Sequence, residues 1–389
     1  MQLLALAVAL LAMTVSAKTP GQASNFNLST AVYEKHGCGT ACQANLMKAS
    51  AEDLKVFDTP FDFDFYDTAS NFSSSAPGSL LKLKPLNGTA LDIPGGVSVY
   101  KIQYTSQDID GSPVPATGFI AMPFVRRQRD PFKLVAAARK AFPHDLTHKW
   151  VSMGHSQGGG AVYKLSEHKL VQDDSSGYLG GVSLAPVVKL YDSMIYNTLS
   201  FGDASSEEME DYKVFGVLGS IAFGLQALFP NYTAPFIAPP MRQRLELAQM
   251  AQYCDVALSE TVTGLSFDDL IGNITATDVA ALQKFQKINS PAQGDKASKP
   301  LLLIQREKDT IVFKSLIDDA YKDSCDAGNR VRLSVYPGLD HSAAVGASAP
   351  EWLSFIGGLF SSTINMTHCV NSTITPFDQE HAASPPDDV

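Results

Sequence analysis

The 389-residue sequence is short of several things, and each shortage narrows what the protein can be. Positive charge is scarce: Lys and Arg total 30 against 40 Asp and Glu, a net charge of −10. Such a chain has no general attraction for phosphate backbones, which argues against a nucleic-acid partner. Neither Gly-x-x-x-x-Gly-Lys-Ser/Thr nor Gly-x-Gly-x-x-Gly occurs, so no nucleotide cradle is expected. Cysteines number only five, none in a Cys-x-x-Cys pair and none beside a histidine cluster, so no metal site or other cofactor is expected. Past the first residues no run of eighteen apolar residues remains, so no transmembrane helix is expected. With 18% charged and 45% hydrophobic residues, the composition is neither disordered nor collagen-like.

What is present begins with a leader. Residues 1–17 form a short apolar run ending Val15-Ser16-Ala17, which reads as a signal peptide cut after Ala17. Glycosylation sequons start at Asn27, Asn71, Asn87, Asn231, Asn273, Asn365 and Asn371, as on a secreted, glycosylated surface. In an oxidising compartment most of Cys38, Cys42, Cys254, Cys325 and Cys369 should pair.

Residues 18–96 read as an N-terminal arm, its 61–96 stretch wrapping rather than forming sheet. Strand signals start at Val97, and 97–107 with 117–124 form an expected antiparallel hairpin about the Asp108–Ser112 turn. A short buried strand is expected over 132–136, then a helical stub to Phe142. Further strands are expected at 149–153, 178–187, 300–305 and 331–336. Helices are expected at 161–165, 318–326 and 352–360, the last being terminal. Residues 190–290 carry no strand signal but hold an apolar stretch, 214–229, and a helical one, 241–257. Residues 376–389 read as a disordered tail. The alternation implies an α/β fold with a mostly parallel sheet. Its core is divided into 97–190 and 298–375 by a helical cap at 191–297, inserted after the nucleophile strand.

The sharpest chemical signal is Gly154-His155-Ser156-Gln157-Gly158, a Gly-x-Ser-x-Gly between a strand and a helix. That context makes it a nucleophile elbow, with Ser156 raised on a strained turn. Bulk at Gly154 or Gly158 should collide with neighbouring chain. The N–H of Gln157 should face the developing oxyanion. A serine nucleophile needs a base, and the base an orienting carboxylate, in the chain order Ser, acid, His. Only His341, His368 and His381 lie far enough downstream. His341 follows a strand by a short loop and is the expected base, whereas His368 adjoins Cys369 and His381 lies in the tail. Asp309, a short loop after the 300–305 strand, is the expected acid, with Glu307 its nearby competitor.

With these residues in place, the chain resembles the fungal secretory lipases of the lipase A type, within the α/β-hydrolases. The resemblance rests on 150–159, on Leu301-Leu302-Leu303-Ile304-Gln305 with Asp309 and Val312, and on Tyr336, Gly338 and His341. It covers most of 60–370. It implies a secreted carboxylic ester hydrolase acting on lipid esters, triacylglycerols in particular, at a lipid–water interface. No cofactor is implied, and the cap would cover the acyl site. Oligomeric state is left open.

At one place the sequence departs from that pattern. The family's strand corresponding to 132–135 runs into a His-Gly loop that supplies a second oxyanion donor, then a helix, a strand and another helix. Here Val135 passes almost directly into Ala136, and the interval to Trp150 holds little more than one crossover. An internal deletion near 135–136 is therefore expected, with a central strand missing and Gln157 left as the one oxyanion donor. On the same reading Cys325 pairs with Cys369 and Cys38 with Cys42, leaving Cys254 odd. The alternative to an active hydrolase is a non-catalytic, truncated homologue.

Overall fold

A computed structural model describes residues 26–55, 62–86, 97–108, 110–123, 133–144, 146–201, 217–253, 255–307, 309, 311–339, 341 and 343–375. The expected leader and tail, Asn87, Cys254 and the 124–132 segment, where a His-Gly loop would be sought, lie outside these.

Among the described residues the strands form two sheets. The first is an antiparallel meander of β1 (Leu80–Pro85), β2 (Val97–Gln107) and β3 (Pro113–Pro123), with Val97 opposite Pro123 and Gln107 opposite Pro113. The second is parallel, in the order β4 (Trp150–His155), β5 (Tyr178–Leu184), β6 (Leu301–Arg306), β7 (Val331–Tyr336) and β8 (Val370–Thr373). β6 is buried at every position, as expected of a parallel strand covered on both faces. Helices α1 (Thr30–Lys35) and α2 (Thr40–Lys55) precede the sheets. α3 (Lys133–Ala141) lies between them, and α4 (Gln157–Ser166) follows β4. α5 (Leu190–Phe201), α6 (Val217–Leu228), α7 (Pro239–Ala251), α8 (Asp255–Ser259) and α9 (Ala276–Asn289) fill the interval between β5 and β6. α10 (Lys314–Asp326) and α11 (Ala349–Ser361) flank β7.

Four sequence expectations need correction. The described part of the expected 132–136 strand, residues 133–136, is helical instead. Lys133 opens α3, and residues 135 and 136 lie within it. Three consecutive alanines favour helix, and Arg139 and Lys140 suit its C-terminal dipole. Ala137 and Ala138 pack against Ile102 and Ile120 of the meander. The 61–96 stretch is not all arm, because β1 pairs along β2 there. The helix expected over 241–257 ends at Ala251, where Gln252 turns left-handed at φ 52, and a second helix begins at Asp255. Finally, the 352–360 helix is not terminal: β8 follows and adds a fifth parallel strand.

The helical interval has its own apolar core, including Leu225, Phe236, Met241, Leu270, Leu282 and Phe285. The apolar 214–229 stretch contributes to that core, Ala222 and Leu225 being buried in it. The N-terminal helices dock on the same layer. Tyr33 and Leu46 pack with Leu247, and Asp53 accepts from Val256 N and Ala257 N, each at 3.1 Å, at the start of α8.

Both expected cysteine pairs are bonded, Cys38 to Cys42 and Cys325 to Cys369. Among the described strands β3 and β4 each end a sheet, and Met153 on β4 is 37% exposed. The strand carrying the serine motif is thus an end strand.

Candidate active site

Ser156 stands between β4 and α4 at φ 55, ψ −119, a conformation that L-residues avoid without support from their surroundings. That support comes from β5 and the loop after it. Ser156 N donates to Leu184 O at 2.9 Å, and Val187 N donates to Ser156 O at 3.0 Å. Glycine lets these chains approach. A Cβ at Gly154 would lie 2.2 Å from Gly158 O, one at Gly159 2.6 Å from Leu184 O, and one at Gly160 2.3 Å from Val187 O. Gly158 is different from expectation: its Cβ would meet nothing within 4 Å. The crowded positions are 154, 159 and 160. Gln157 is the first residue of α4, so its N–H is one that the helix ladder leaves without an internal partner.

Asp309 and His341 come together from the loops after β6 and β7. His341 Nδ1 is 3.1 Å from both carboxylate oxygens of Asp309. Asp309 Oδ1 also accepts Ile311 N at 3.0 Å and Val312 N at 2.8 Å. Burial pushes the Asp309 carboxyl up. The His341 hydrogen bond, the His341 and Arg306 charges and the Val312 N–H outweigh it and hold the group below its ordinary value. Glu307, the competing acid, is exposed, as is His368. The His341 ring lies against that of His155, centroids 4.7 Å apart, and His155 Nε2 meets His341 O at 3.0 Å. Burial is the main cause that lowers the His155 pKa; the His341 carbonyl opposes it. On its other side, His341 Nε2 is buried without a hydrogen-bond partner, so the serine hydroxyl is not bonded to the ring.

Sequence reasoning passed over two residues. Gln305 Nε2 donates to Val312 O at 2.8 Å and braces the acid loop. Arg306 is fully buried, with Nη2 2.5 Å from Asp309 Oδ2 and 2.7 Å from His341 Nδ1. A charged residue closing an otherwise apolar strand was the available signal. Six sequon asparagines lie in described positions, and all six are exposed. Among the described residues no group of His, Cys, Asp and Glu could hold a metal, and no helix is long and apolar enough to cross a membrane.

Comparison with solved structures gives the fold the same identity. Candida antarctica lipase A superposes with a TM-score of 0.64 at 14% identity, over 85% of this chain and 93% of that one. A protein of Legionella pneumophila gives 0.54 at 16% identity, over 74% and 99%. The rice cell wall degrading esterase LipA of Xanthomonas oryzae gives 0.54 at 13% identity, over 75% and 100%. No family model and no curated protein sequence matches. The chain therefore has a lipase A-like α/β-hydrolase fold.

Proposed function

We propose that this protein is a secreted serine hydrolase of carboxylic esters, with triacylglycerols as its substrate class. The observation that carries the reading is Ser156 at its strained strand-to-helix turn, while Asp309 and His341 pair on the loops two and three strands across the same sheet. In the proposed reaction Ser156 attacks the ester carbonyl as His341 takes its proton. Asp309 orients the ring and stabilises the imidazolium. The Gln157 N–H bonds the oxyanion, and water then releases the acyl group. The similar structures include a lipase and an esterase, which supports ester chemistry. The two disulfides and six exposed sequons support an extracellular site of action.

The test is hydrolysis of p-nitrophenyl esters and tributyrin, with fluorophosphonate labelling, by wild type and Ser156→Ala. Turnover and labelling are expected in the wild type, and neither in the variant at unchanged thermal stability. Labelling of the variant at the wild-type rate rules out Ser156 as nucleophile.

A second reading, a non-catalytic lipid-binding chain, is favoured by β4 ending its sheet and by the partnerless His341 Nε2. A folded wild type that binds fatty acid but neither hydrolyses nor labels decides for it.

A further inference from the structure

Arg306 is the largest fully buried side chain of the described residues, and it lies inside the Asp309–His341 pair. Its Nη2 is 2.5 Å from Asp309 Oδ2 and 2.7 Å from His341 Nδ1. The imidazole nitrogen is thus closer to the guanidinium than to either carboxylate oxygen, each at 3.1 Å.

A guanidinium only donates, and it does not lose its proton in proteins. An Nη2–H directed at Nδ1 needs a lone pair there. A proton already on Nδ1 would face the guanidinium proton across 2.7 Å. While this contact lasts the neutral ring carries its proton on Nε2, the nitrogen that must be bare to activate Ser156. Charge points the same way. Among the described residues Asp309 is the one carboxylate bonded to the ring, and Arg306 shares it, so the guanidinium competes with the ring for that acceptor. His155, packed on the other face of the ring, has its pKa lowered, chiefly by burial, and supplies no compensating anion.

Resting on the serine-hydrolase reading, we propose that Arg306 is a positioning residue that holds His341 in the Nε2–H tautomer and so keeps Ser156 latent. Release requires the guanidinium to leave Nδ1; the ring then takes a proton from water at Nδ1 and returns its Nε2 proton to water, and the new Nδ1–H donates to Asp309. Holding the wrong tautomer in a Ser-His-Asp site lowers turnover by as much as about ten-thousand-fold, so even partial relief is measurable.

The test uses the full chain as wild type, Arg306→Met, Arg306→Gln and Arg306→Lys, with Ser156→Ala as the labelling control. Nitrogen-15 spectra of labelled histidines, with His341 assigned by loss of its signal in His341→Asn, report which nitrogen bears the proton. We expect Nε2–H in the wild type and Nδ1–H in Arg306→Met, with fluorophosphonate labelling at least tenfold faster. Arg306→Lys keeps the charge and should label slowly, like the wild type. Nδ1–H in the wild type, or labelling of a folded Arg306→Met within twofold of wild type, overturns the proposal. If neither neutral variant folds, the wild-type tautomer alone decides. Labelling of Ser156→Ala at the wild-type rate rejects the serine nucleophile, whereas the tautomer still judges Arg306.

Discussion

The backbone of Ser156 sits where a residue with a Cβ costs about 1–3 kcal/mol, and its neighbours decide whether that cost can be held. The glycines around it are therefore not equivalent. At Gly154 an added Cβ would lie 2.2 Å from the carbonyl oxygen of Gly158, which is fixed in the first turn of α4. Gly154→Ala should abolish ester turnover and lower stability by roughly 2–4 kcal/mol, the range of a steric fault with no flexible partner to yield. At Gly158 the same methyl meets open space. Gly158→Ala should be neutral or stabilising by up to ~1 kcal/mol, as alanine for glycine in a helix. Urea denaturation of the two variants, with turnover measured alongside, checks the contrast. Equal losses at both positions would show that crowding is not what glycine relieves here. Ser156 and Gly154 were legible in the sequence because the elbow is local, with every contact inside a few residues or on the next strand. Gly158 was misjudged because the motif alone does not say which side of the turn faces protein. Arg306 was hidden for another reason: its partner His341 lies 35 residues on, and only the sheet register brings them together.

At the scale of elements, what caps a helix can matter as much as what packs on it. Glu167 follows α4, with Oε1 accepting Ala292 N at 2.8 Å. Its Oε2 is buried without a hydrogen bond, Lys164 Nζ being 3.7 Å away. Burial pushes this carboxyl up to about 7, against the pull of the Ala292 N–H and Lys164. In the unfolded chain it titrates near its ordinary 4.5. Between those values the folded state binds the extra proton, so this group makes stability fall as pH rises through the window. Glu167→Gln keeps the acceptor for Ala292 and removes the titration. It should be more stable than wild type by roughly 2–3 kcal/mol at pH 8, with the gap closing toward pH 4. Urea midpoints across that pH range measure it, and a gap that does not change with pH rejects the assignment. Elements were legible where pattern and length agreed. β2 through β7 are runs rich in β-branched, aromatic or aliphatic residues between turn residues. β8 escaped notice because Val370-Asn371-Ser372-Thr373 is polar, short and largely exposed at the sheet edge. β1 escaped because Lys82 and Lys84 interrupt it, both engaging the 62–67 segment. Residues 133–136 are helical where a strand is expected, because so short a stretch has no period of its own.

Across the whole molecule the helical layer gathers both the N-terminal helices and the interval between β5 and β6, while the candidate site sits on the parallel sheet. Among the described strands β4 ends the parallel sheet, and the short connection from 132 to 150 leaves room for little more than one crossover before it. The two disulfides secure different parts of this arrangement. Cys38–Cys42 closes a loop of sequence separation 4 within the helical layer, beside buried Arg244. Cys325–Cys369 spans a separation of 44 and ties the end of α10 to the residue before β8. Cross-links act largely by restricting the unfolded chain, and more so for longer loops. On that scale the long link contributes about 4 kcal/mol and the short one about 2. The first figure is a large share of the roughly 5–15 kcal/mol that holds a domain folded. The double variant Cys325→Ser/Cys369→Ser should therefore lose about twice what Cys38→Ser/Cys42→Ser loses in urea denaturation. It should also expose the β8 amides to hydrogen exchange first, since among the described strands β8 pairs with β7 alone. A larger loss from the short pair would mean that native packing around Cys38 and Cys42, both buried against Tyr33 and Leu46, outweighs loop entropy.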